Sequence, residues 1–436
     1  MGSLSRAAWI AFYLVLALAP LLVAVIISAP PGNGFGWDFA IALGIGAFGL
    51  MGAMLLLTAR FRRAAAPFGV DVIFYFHRQI GIAILGVALL HPLILLWLEP
   101  TLWHYLKPEG PGSMHAGAGA LVALALLVGS SVARKALHLH YDLWRKAHAV
   151  LAVTALALGV VHVAGINYYF SAPAMRLLLV LLALLWAALV IYVRVIRPVQ
   201  LWRRPYVVES VTPERGRAWT LTLSPSGHSG FRFLPGQFAW LTIGNGPWSM
   251  QEHPFSIVSS AQQPGRVAFT IKALGDFTST VGAIAPGQTA YVDGPYGAFS
   301  PDRHDATGLV LIAGGIGMAP LLCMLRTLAD RGDQRPIMLV YAYRDLDNLT
   351  FREELESLEK RLRLRTVIVL REPPADWSGE RGMLTPEMFV RHLPADCRRC
   401  QYYVCGPQPM LDVVETALRK AGVSLGRMHF EIFDWV

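Results

Sequence analysis

The chain has 436 residues, enough for two or three domains, and its 54% hydrophobic and 15% charged residues exclude an ordinary soluble protein. The net charge of +9 is unevenly spread: residues 1–200 hold 13 Lys and Arg against 5 Asp and Glu, whereas residues 201–436 hold 25 against 24. Because the excess lies in the apolar half, it favours loops that fix membrane orientation and argues against a nucleic-acid-binding patch.

Six apolar runs in the first 200 residues each reach the ~20 residues that a helix needs to span a bilayer. We predict membrane spans at about 7–28, 38–59, 72–97, 113–133, 144–165 and 174–196. Basic residues cluster at the N-terminus, in the loops after spans two and four, and at the end of span six. The positive-inside rule then places both termini in the cytoplasm, with membrane lipid around the spans.

Spans three and five each carry two histidines fourteen residues apart, His77 with His91 and His148 with His162. Fourteen residues at 100° each return to within about 40° of the starting direction, so both imidazoles of a span lie on one helix face. At 1.5 Å per residue the two are roughly 21 Å apart along the helix axis. If the two helices lie side by side, His77 faces His148 near the cytoplasm and His91 faces His162 near the outside.

Each facing pair would clamp one haem iron from both sides, which predicts two b-type haems. No C-x-x-C-H motif is present in the sequence, so the haem would be bound non-covalently. A single histidine in a membrane span can instead line a water-filled cavity or pair with a neighbour, and this alternative stays open for each of the four. The spacing repeated on two spans favours the haem interpretation.

From residue 205 the composition becomes that of a soluble protein, with short β-type runs between Gly- and Pro-containing turns. This alternation predicts a small antiparallel barrel. Further on, strand patterns such as "GLVLIAGG" and "PIMLVYAYR" alternate with helix patterns, which predicts a parallel α/β sheet. The predicted fold is therefore multidomain: a six-helix transmembrane haem bundle over 1–200, an antiparallel β-barrel over 205–303 and an α/β domain over 304–436.

Four motifs follow in order through the last two domains: "HPFSIVSS" at 253–260, "IKALGDFTSTV" at 271–281, "GGIGMAP" at 314–320 and "CGPQPM" at 405–410. With these motifs the barrel and the α/β domain resemble the ferredoxin–NADP reductase superfamily. Joined to the paired histidine spans, the whole chain resembles a prokaryotic NADPH oxidase/ferric reductase. The resemblance implies an FAD-binding barrel and an NAD(P)H-binding domain, both on the cytoplasmic side of a bacterial inner membrane.

The resemblance assigns the first two motifs to the flavin. His253 would lie near the ribityl–phosphate chain, Phe255 against the isoalloxazine, and Ser256 within hydrogen-bonding reach of its reactive edge, with Pro254 in the same site. The diphosphate-binding stretch would comprise Lys272, Gly275, Asp276, Phe277 and Thr278. Thr278 can cap a following helix, whose free N–H groups can meet phosphate.

The two later motifs point to the nucleotide. Three glycines follow an apolar strand and open a helix in "GGIGMAP": Gly314, Gly315 and Gly317. Glycines let a backbone approach a pyrophosphate, whose charge suits a helix N-terminus, although an ordinary strand–helix turn is the alternative. By the resemblance, the nicotinamide-side loop consists of Cys405, Gly406 and Pro407. Cys405 would lie near the hydride path and would not act as a nucleophile.

Arg344 follows the second strand of the α/β domain, where an arginine can hold the 2′-phosphate of NADPH. Asp345 beside it could instead receive a ribose hydroxyl, so NADPH is expected and NADH stays possible. By the resemblance, an aromatic ring near the chain end stacks over the flavin, with Phe433 the first candidate and Trp435 the second. The alternative is that these aromatic rings pack beneath the nucleotide domain.

Cys397 and Cys400 form a lone C-x-x-C pair, for which reduced thiols are the expectation and a metal or redox pair the alternative.

The order of these parts predicts electron flow from cytosolic NAD(P)H through FAD and two haems to an acceptor outside the membrane. A flavin is needed because a hydride carries two electrons and a haem accepts one. The acceptor would be O2, giving superoxide, or a ferric chelate. The related animal oxidases have a second histidine one turn beyond the outer ligand, where this chain has Leu95.

Two other functions are possible on the sequence alone. The chain could be a haem-binding membrane subunit that delivers electrons to an extracytoplasmic partner protein, although no obligatory protein partner is predicted. The spans could also simply anchor a soluble flavin reductase, but this does not account for four histidines in register.

Overall fold

The computed structural model describes residues 3–27, 33–61, 70–166, 170–263, 265–394 and 396–432. The chain divides into two compact units. One, here called the membrane unit, comprises Met1–Pro67 with Val72–Pro198, and the other, the reductase unit, comprises Phe68–Asp71 with Val199–Val436. The membrane unit is helical, whereas the reductase unit contains two sheets.

Long apolar helices build the membrane unit. They are α1 (Ser3–Ile27), α2 (Phe35–Thr58), α3 (Val70–Leu98), α4 (Gly112–Val132), α5 (Tyr141–Ile166) and α6 (Pro173–Ile191). A π-helical turn at Tyr192–Ile196 joins α6 to the short helix α7 (Arg197–Trp202), whose residues from Val199 on belong to the reductase unit. Among the described residues, six helical stretches are long and apolar enough to cross a membrane, and they confirm the six predicted spans to within a few residues at most ends.

Small residues let these helices approach one another closely. The rings of Phe48 and Trp186 meet edge-on in an apolar cluster, with centroids 4.9 Å apart. A Cβ added at Gly52 would collide with the ring of Trp186. Helix interfaces in membranes commonly depend on such small residues, because packing must replace the hydrophobic effect between helices.

The first sheet of the reductase unit is antiparallel. Its elements are β1 (Tyr206–Glu214), β2 (Ala218–Pro225), β3 (Phe238–Ile243), β4 (His253–Ser256), β5 (Val267–Lys272), the short helix α8 (Asp276–Thr280) and β6 (Thr289–Tyr296). The strand order is β4-β3-β6-β1-β2-β5. The predicted antiparallel barrel is confirmed as a six-stranded half-barrel, which leaves β4 and β5 as its edges.

The second sheet is parallel, as predicted. Its elements are β7 (Leu309–Gly314), α9 (Met318–Asp330), β8 (Ile337–Tyr343), α10 (Arg352–Arg361), β9 (Leu364–Leu370), β10 (Glu380–Arg381), α11 (Pro386–His392), β11 (Gln401–Gly406), α12 (Gln408–Lys420) and β12 (Met428–Ile432). The order is β10-β9-β8-β7-β11-β12, so the chain moves outward from β7 and then returns to its other side. Strand β12, which the sequence analysis did not identify, pairs with β11. Parallel α/β sheets bind ligands where the strand order reverses, which here is between β7 and β11.

One face of α9 joins the two sheets. Arg326 forms a two-point ion pair with Glu354, at 2.6 and 2.7 Å, and donates a third hydrogen bond to the carbonyl oxygen of Val258 at 2.8 Å. The backbone N–H of Ala261 donates to the hydroxyl of Thr327 at 2.9 Å. The antiparallel and parallel sheets are therefore fixed to each other by charge-assisted bonds as well as by packing.

Candidate functional site

The structure brings the four histidines of α3 and α5 together as two facing pairs. The ring centroids of His77 and His148 are 6.1 Å apart with planes at 51°, and those of His91 and His162 are 6.5 Å apart with planes at 75°. A metal–imidazole bond of about 2.0–2.1 Å, and a ring centre about 1.15 Å from the ligating nitrogen, put the centres of two rings on one iron roughly 6.3–6.5 Å apart. Both pairs have the separation that axial ligands of one haem iron require.

Hydrogen bonds fix the tautomer of the second pair. Nδ1 of His91 lies 2.8 Å from the carbonyl oxygen of Ala40, and Nδ1 of His162 lies 2.8 Å from that of Ser113. A carbonyl oxygen can only accept, so both Nδ1 atoms carry the proton and both Nε2 atoms keep the lone pair that a metal needs. Metal-bound histidines usually donate their other N–H in this way.

The first pair is held differently. The hydroxyl of Ser131 donates to the carbonyl oxygen of Leu127 at 2.6 Å, so its oxygen accepts from Nδ1 of His148 at 3.1 Å. Nδ1 of His77 is buried and has no hydrogen-bond partner within the described ranges. Three of the four imidazoles thus have a partner for Nδ1, and the fourth needs one.

Two glycines make room for the second pair. A Cβ added at Gly44 would lie 2.9 Å from Nδ1 of His91, and one at Gly117 would lie 2.5 Å from Nδ1 of His162. Each glycine comes four residues after the residue whose carbonyl accepts from the imidazole, so glycine and acceptor share a helix face. Sequence reasoning missed both, because α2 and α4 contain other glycines and only the facing helix distinguishes these two.

A cavity of about 270 Å³ is lined by His91, His162 and almost wholly apolar side chains, among them Leu95 one turn beyond His91. An apolar lining with two convergent imidazoles suits the face of a porphyrin. Within the described residues no group of three or more His, Cys, Asp or Glu could hold a metal. A haem iron takes its other ligands from the porphyrin and needs only two from the protein, so the histidine pairs fit haem and not a bare metal ion.

The residues predicted for the flavin lie on the edge strand β4 and on α8. His253 stacks on Phe277 with centroids 4.1 Å apart and planes at 14°, and Phe255 lies 6.0 Å from the same ring. Ser256 ends β4 and is only 4% exposed, whereas Pro254 is half-buried between the two aromatic residues of its strand. The structure therefore joins the first two motifs into one aromatic surface.

Thr278 caps α8 from within the helix and not, as predicted, ahead of a following one. Its hydroxyl oxygen accepts from the backbone N–H of Gly275 at 2.7 Å and of Leu274 at 2.9 Å. These two N–H groups are already satisfied, so they do not meet phosphate in this geometry. Lys272, also predicted for the diphosphate, lies with its ammonium 5.3 Å from the ring centroid of Tyr343, while the role of Asp276 stays a prediction.

The two nucleotide motifs meet at the strand-order reversal. A Cβ added at Gly314 would lie 2.5 Å from Sδ of Met410 and 3.2 Å from Cδ of Pro407, and one at Gly317 would collide with the carbonyl oxygen of Cys405. The turn after β7 and the loop after β11 therefore touch, although 88 residues separate Gly317 from Cys405 in the sequence. This close approach requires glycine at 317, because a Cβ there would meet backbone atoms, whereas at 314 the shortest contact is with the flexible side chain of Met410.

Two further residues of these motifs have defined environments. Gly315 adopts a φ of 55°, a left-handed conformation that favours glycine. Gly406 ends β11, and a Cβ there would lie 2.6 Å from Cε of Met410. The side chain of Cys405 is completely buried in the apolar core, and its role near the hydride path stays a prediction.

Arg344 lies exposed after β8 and already has a carboxylate partner. Its Nε donates to Glu372 at 2.9 Å, and Arg371 contacts the same carboxylate at 3.1 Å. The hydrogen bond raises the pKa of Arg344 and lowers the pKa of Glu372. Asp345, the alternative ribose ligand, accepts from the backbone and side-chain N–H groups of Asn348 at 2.9 and 2.8 Å, which engages it in a local turn.

The remaining predicted residues are at or near the C-terminus. Phe433 and Trp435 lie outside the described residues. Cys397 is half-buried and Cys400 is buried, both as free thiols, and burial raises the pKa of Cys400 to about 11.

Comparison with known families identifies three domains in chain order. Residues 43–159 match the ferric reductase like transmembrane component, residues 219–300 an FAD-binding domain, and residues 311–416 the oxidoreductase NAD-binding domain. The first match covers most of α2 and α5 and all of α3 and α4, the second covers most of the half-barrel, and the third covers most of the parallel sheet. The chain is thus an oxidoreductase with FAD- and NAD-binding domains and a multi-pass membrane part.

Individual relatives match about half of the chain. The reductase component of propane 2-monooxygenase from Rhodococcus jostii is 29% identical over 222 residues, 49% of this chain and 59% of that protein. The same component from Mycolicibacterium smegmatis is 32% identical over 235 residues, 52% of this chain and 66% of that protein. NADH-cytochrome b5 reductase 1 of Aspergillus terreus is 31% identical over 191 residues, 42% of this chain and 64% of that protein. The chain spans about three-fifths of the length of these relatives, between 59% and 66%.

Among solved structures, the FAD/NAD-binding domain of a nitric oxide dioxygenase from Vibrio cholerae superposes with a TM-score of 0.47 at 21% identity, over 53% of this chain and 98% of that one.

Proposed function

Because the chain carries the three domains of a ferric reductase/NADPH oxidase-like flavocytochrome, we propose that it moves electrons from cytosolic NAD(P)H through FAD and two b-type haems to an extracytoplasmic one-electron acceptor. The acceptor is O2, which yields superoxide, or a ferric chelate. The site of action is a bacterial inner membrane, with the reductase unit on its cytoplasmic side.

The main support for this proposal comes from two facing imidazole pairs in the membrane unit, His77 with His148 and His91 with His162. Separations of 6.1 and 6.5 Å between ring centroids suit two haem irons, one at each end of the fourteen-residue spacing. Roughly 21 Å along the helix axis covers most of a hydrocarbon core about 30 Å thick. A chain of two carriers at that spacing allows electrons to cross where no charged molecule passes cheaply.

The cofactors would supply the redox chemistry: bound FAD takes up a hydride and releases single electrons, and bound haem carries one electron at a time. The protein's own residues bind and orient. His77, His91, His148 and His162 hold the two irons. With one imidazole on each side of an iron, neither pair would leave room for an external acceptor to bind the metal, so the acceptor would have to be reduced without ligation.

In the reductase unit, the stacked rings of His253 and Phe277 and the ring of Phe255 form the surface for the flavin, and Ser256 lies at its edge. The β7–β11 reversal would hold the nicotinamide nucleotide. The hydrogen bond from Arg326 to the carbonyl oxygen of Val258 keeps the two sheets in a fixed orientation, so a nucleotide and a flavin bound at these places would keep a fixed relative position.

The ligand assignment is tested with four single variants. His77→Ala or His148→Ala is expected to remove one haem, and His91→Ala or His162→Ala the other, with flavin content unchanged in all four. Haem per chain is measured as pyridine haemochrome and flavin by fluorescence after acid release. Four variants that all keep the wild-type haem content would overturn the proposal.

The acceptor is tested with the purified wild-type protein and NADPH. Reduction of cytochrome c that superoxide dismutase abolishes supports O2 as acceptor, whereas reduction of a ferric chelate that the dismutase does not affect supports iron. If the haems become reduced but neither acceptor is used, the chain instead delivers electrons to a partner protein.

A further inference from the structure

In the membrane unit, helix α4 carries two small residues that contact the two histidines of α5. On α4, Ser131 follows Gly117 by fourteen residues, and on α5, His148 precedes His162 by fourteen. The glycine faces the ring of His162 and the serine bonds the ring of His148. Because the fourteen-residue spacing is the same on both helices, α4 contacts both histidines of α5.

Helices α2 and α3 repeat half of this arrangement. Gly44 faces His91, and a Cβ at Gly36 would lie 3.2 Å from the Leu98 side chain, so residue numbers rise along α2 as they fall along α3. The two helices are therefore antiparallel, as consecutive spans must be. Fourteen residues beyond Gly44 on α2 is Thr58, and fourteen before His91 on α3 is His77.

Thr58 has the same local chemistry as Ser131. Its hydroxyl donates to the carbonyl oxygen of Met54 at 3.1 Å, four residues earlier, as the hydroxyl of Ser131 does to Leu127. A hydroxyl whose proton is engaged in this way keeps its lone pairs for a facing N–H group. Thr58 is half-buried, and within the described residues Nδ1 of His77 is buried without a partner.

From this repeated register we propose that, once ligation to an iron fixes the ring of His77, the hydroxyl oxygen of Thr58 accepts from its Nδ1–H and becomes the fourth positioning contact, a bond that is not formed in this structure. This inference rests on the proposed function, because axial ligation is what fixes the ring of His77. Nδ1 of every ligand would then have an acceptor: backbone carbonyls for His91 and His162, and hydroxyls for His148 and His77. The hydrogen bond sets the tautomer of His77 and makes its Nε2 a stronger electron donor to iron.

The experiment uses the full chain with Thr58→Val, which exchanges the hydroxyl for a methyl group of similar size, and with Thr58→Ser, which keeps the hydroxyl. Ser131→Ala serves as the benchmark, because its bond to His148 is present in the structure. Ser130→Ala is the matched control, since the bond described for Ser130 is to the carbonyl oxygen of Leu127.

Two quantities are measured: the midpoint potential of each haem by optical redox titration, and the rate of haem transfer to apomyoglobin. Thr58→Val and Ser131→Ala are each expected to raise the potential of one and the same haem and to speed its release roughly tenfold, as loss of an outer-shell partner typically does. Thr58→Ser and Ser130→Ala should stay within about twofold of wild type on the same scale.

Each outcome separates this inference from the proposed function. A wild type without haem refutes the function. A wild type with two haems, in which Thr58→Val behaves as wild type while Ser131→Ala shifts, refutes the role of Thr58 and leaves the function standing. Loss of both haems in Thr58→Val also counts against it, because a positioning contact acts on one ligand pair.

Discussion

A substitution at Gly117 tests what holds the ring of His162 in its position facing His91. A Cβ at this position would lie 2.5 Å from Nδ1 of His162, whereas ordinary van der Waals contact begins near 3.4 Å. In Gly117→Ala the ring must therefore retreat by about 0.9 Å. That movement lengthens the 2.8 Å bond from Nδ1 to the carbonyl of Ser113 past the ~3.5 Å at which a hydrogen bond ceases to count.

The cost follows from the lost bond. An N–H group left without a partner in an apolar site costs ~1–3 kcal/mol. At 1.4 kcal/mol per factor of ten, this corresponds to a haem affinity that is roughly 5- to 150-fold weaker for one haem of the two. Gly44→Ala needs only about 0.5 Å of movement, because its Cβ would start 2.9 Å from Nδ1 of His91, so its effect should be smaller.

The assay is haem content and haem release rate of the purified full chain. Gly129→Ala on α4 and Gly46→Ala on α2 are matched controls, since a Cβ at either position would meet no atom within 4 Å. Release is expected to be fastest in Gly117→Ala, intermediate in Gly44→Ala, and as in wild type in both controls. Wild-type release from Gly117→Ala, or equal damage from Gly129→Ala, would refute the reasoning.

Two further predictions concern the reductase unit. Arg344→Ala should raise the KM for NADPH by roughly tenfold while leaving NADH kinetics nearly unchanged. Glu372→Gln should lower the KM for NADPH, because it removes the carboxylate that competes with the 2′-phosphate for Arg344. Equal effects on both coenzymes in steady-state kinetics would contradict this assignment. Burial raises the pKa of the Cys323 thiol to about 12, above the ~8.5 of an unfolded thiol, so its contribution to stability is complete below pH ~8.5 and is lost as the pH rises toward 12. The Tm of wild type should therefore exceed that of Cys323→Ala by less as the pH rises above ~8.5. If the difference in Tm, measured by flavin-fluorescence melting curves, stays constant to pH ~11, the thiol has the same pKa in the folded and unfolded states.

The parts of this molecule that sequence predicts well are those set by composition and by period. Apolar length alone located the six spans, and the fourteen-residue repeat alone indicated that His77 faces His148 and His91 faces His162. Alternating and continuous apolar runs likewise distinguished the antiparallel sheet from the parallel one. These features depend on residues close together in the chain, so a single sequence contains them.

What sequence could not supply depends on partners far along the chain. Gly44 differs from Gly46 because His91 of α3 faces it. The carboxylate beside Arg344 belongs to Glu372, which lies in the loop after β9. The sequence predicts that Thr278 caps a helix that follows it, but Thr278 is the third residue of α8, which begins at Asp276. Contacts of this kind require the register between elements, which no local pattern encodes.

The hydrogen-bond acceptors of these imidazoles differ in whether a single substitution can remove them. The acceptors for His91 and His162 are main-chain oxygens, which every amino acid possesses, so no substitution of Ala40 or Ser113 can delete them. The acceptor for His148 is a side-chain hydroxyl, which one codon change removes. If these imidazoles hold haem as proposed, a substitution at position 131 removes the acceptor of His148 directly, whereas the acceptors of His91 and His162 stay in place and only the imidazole can be displaced, as a side chain at Gly44 or Gly117 would do.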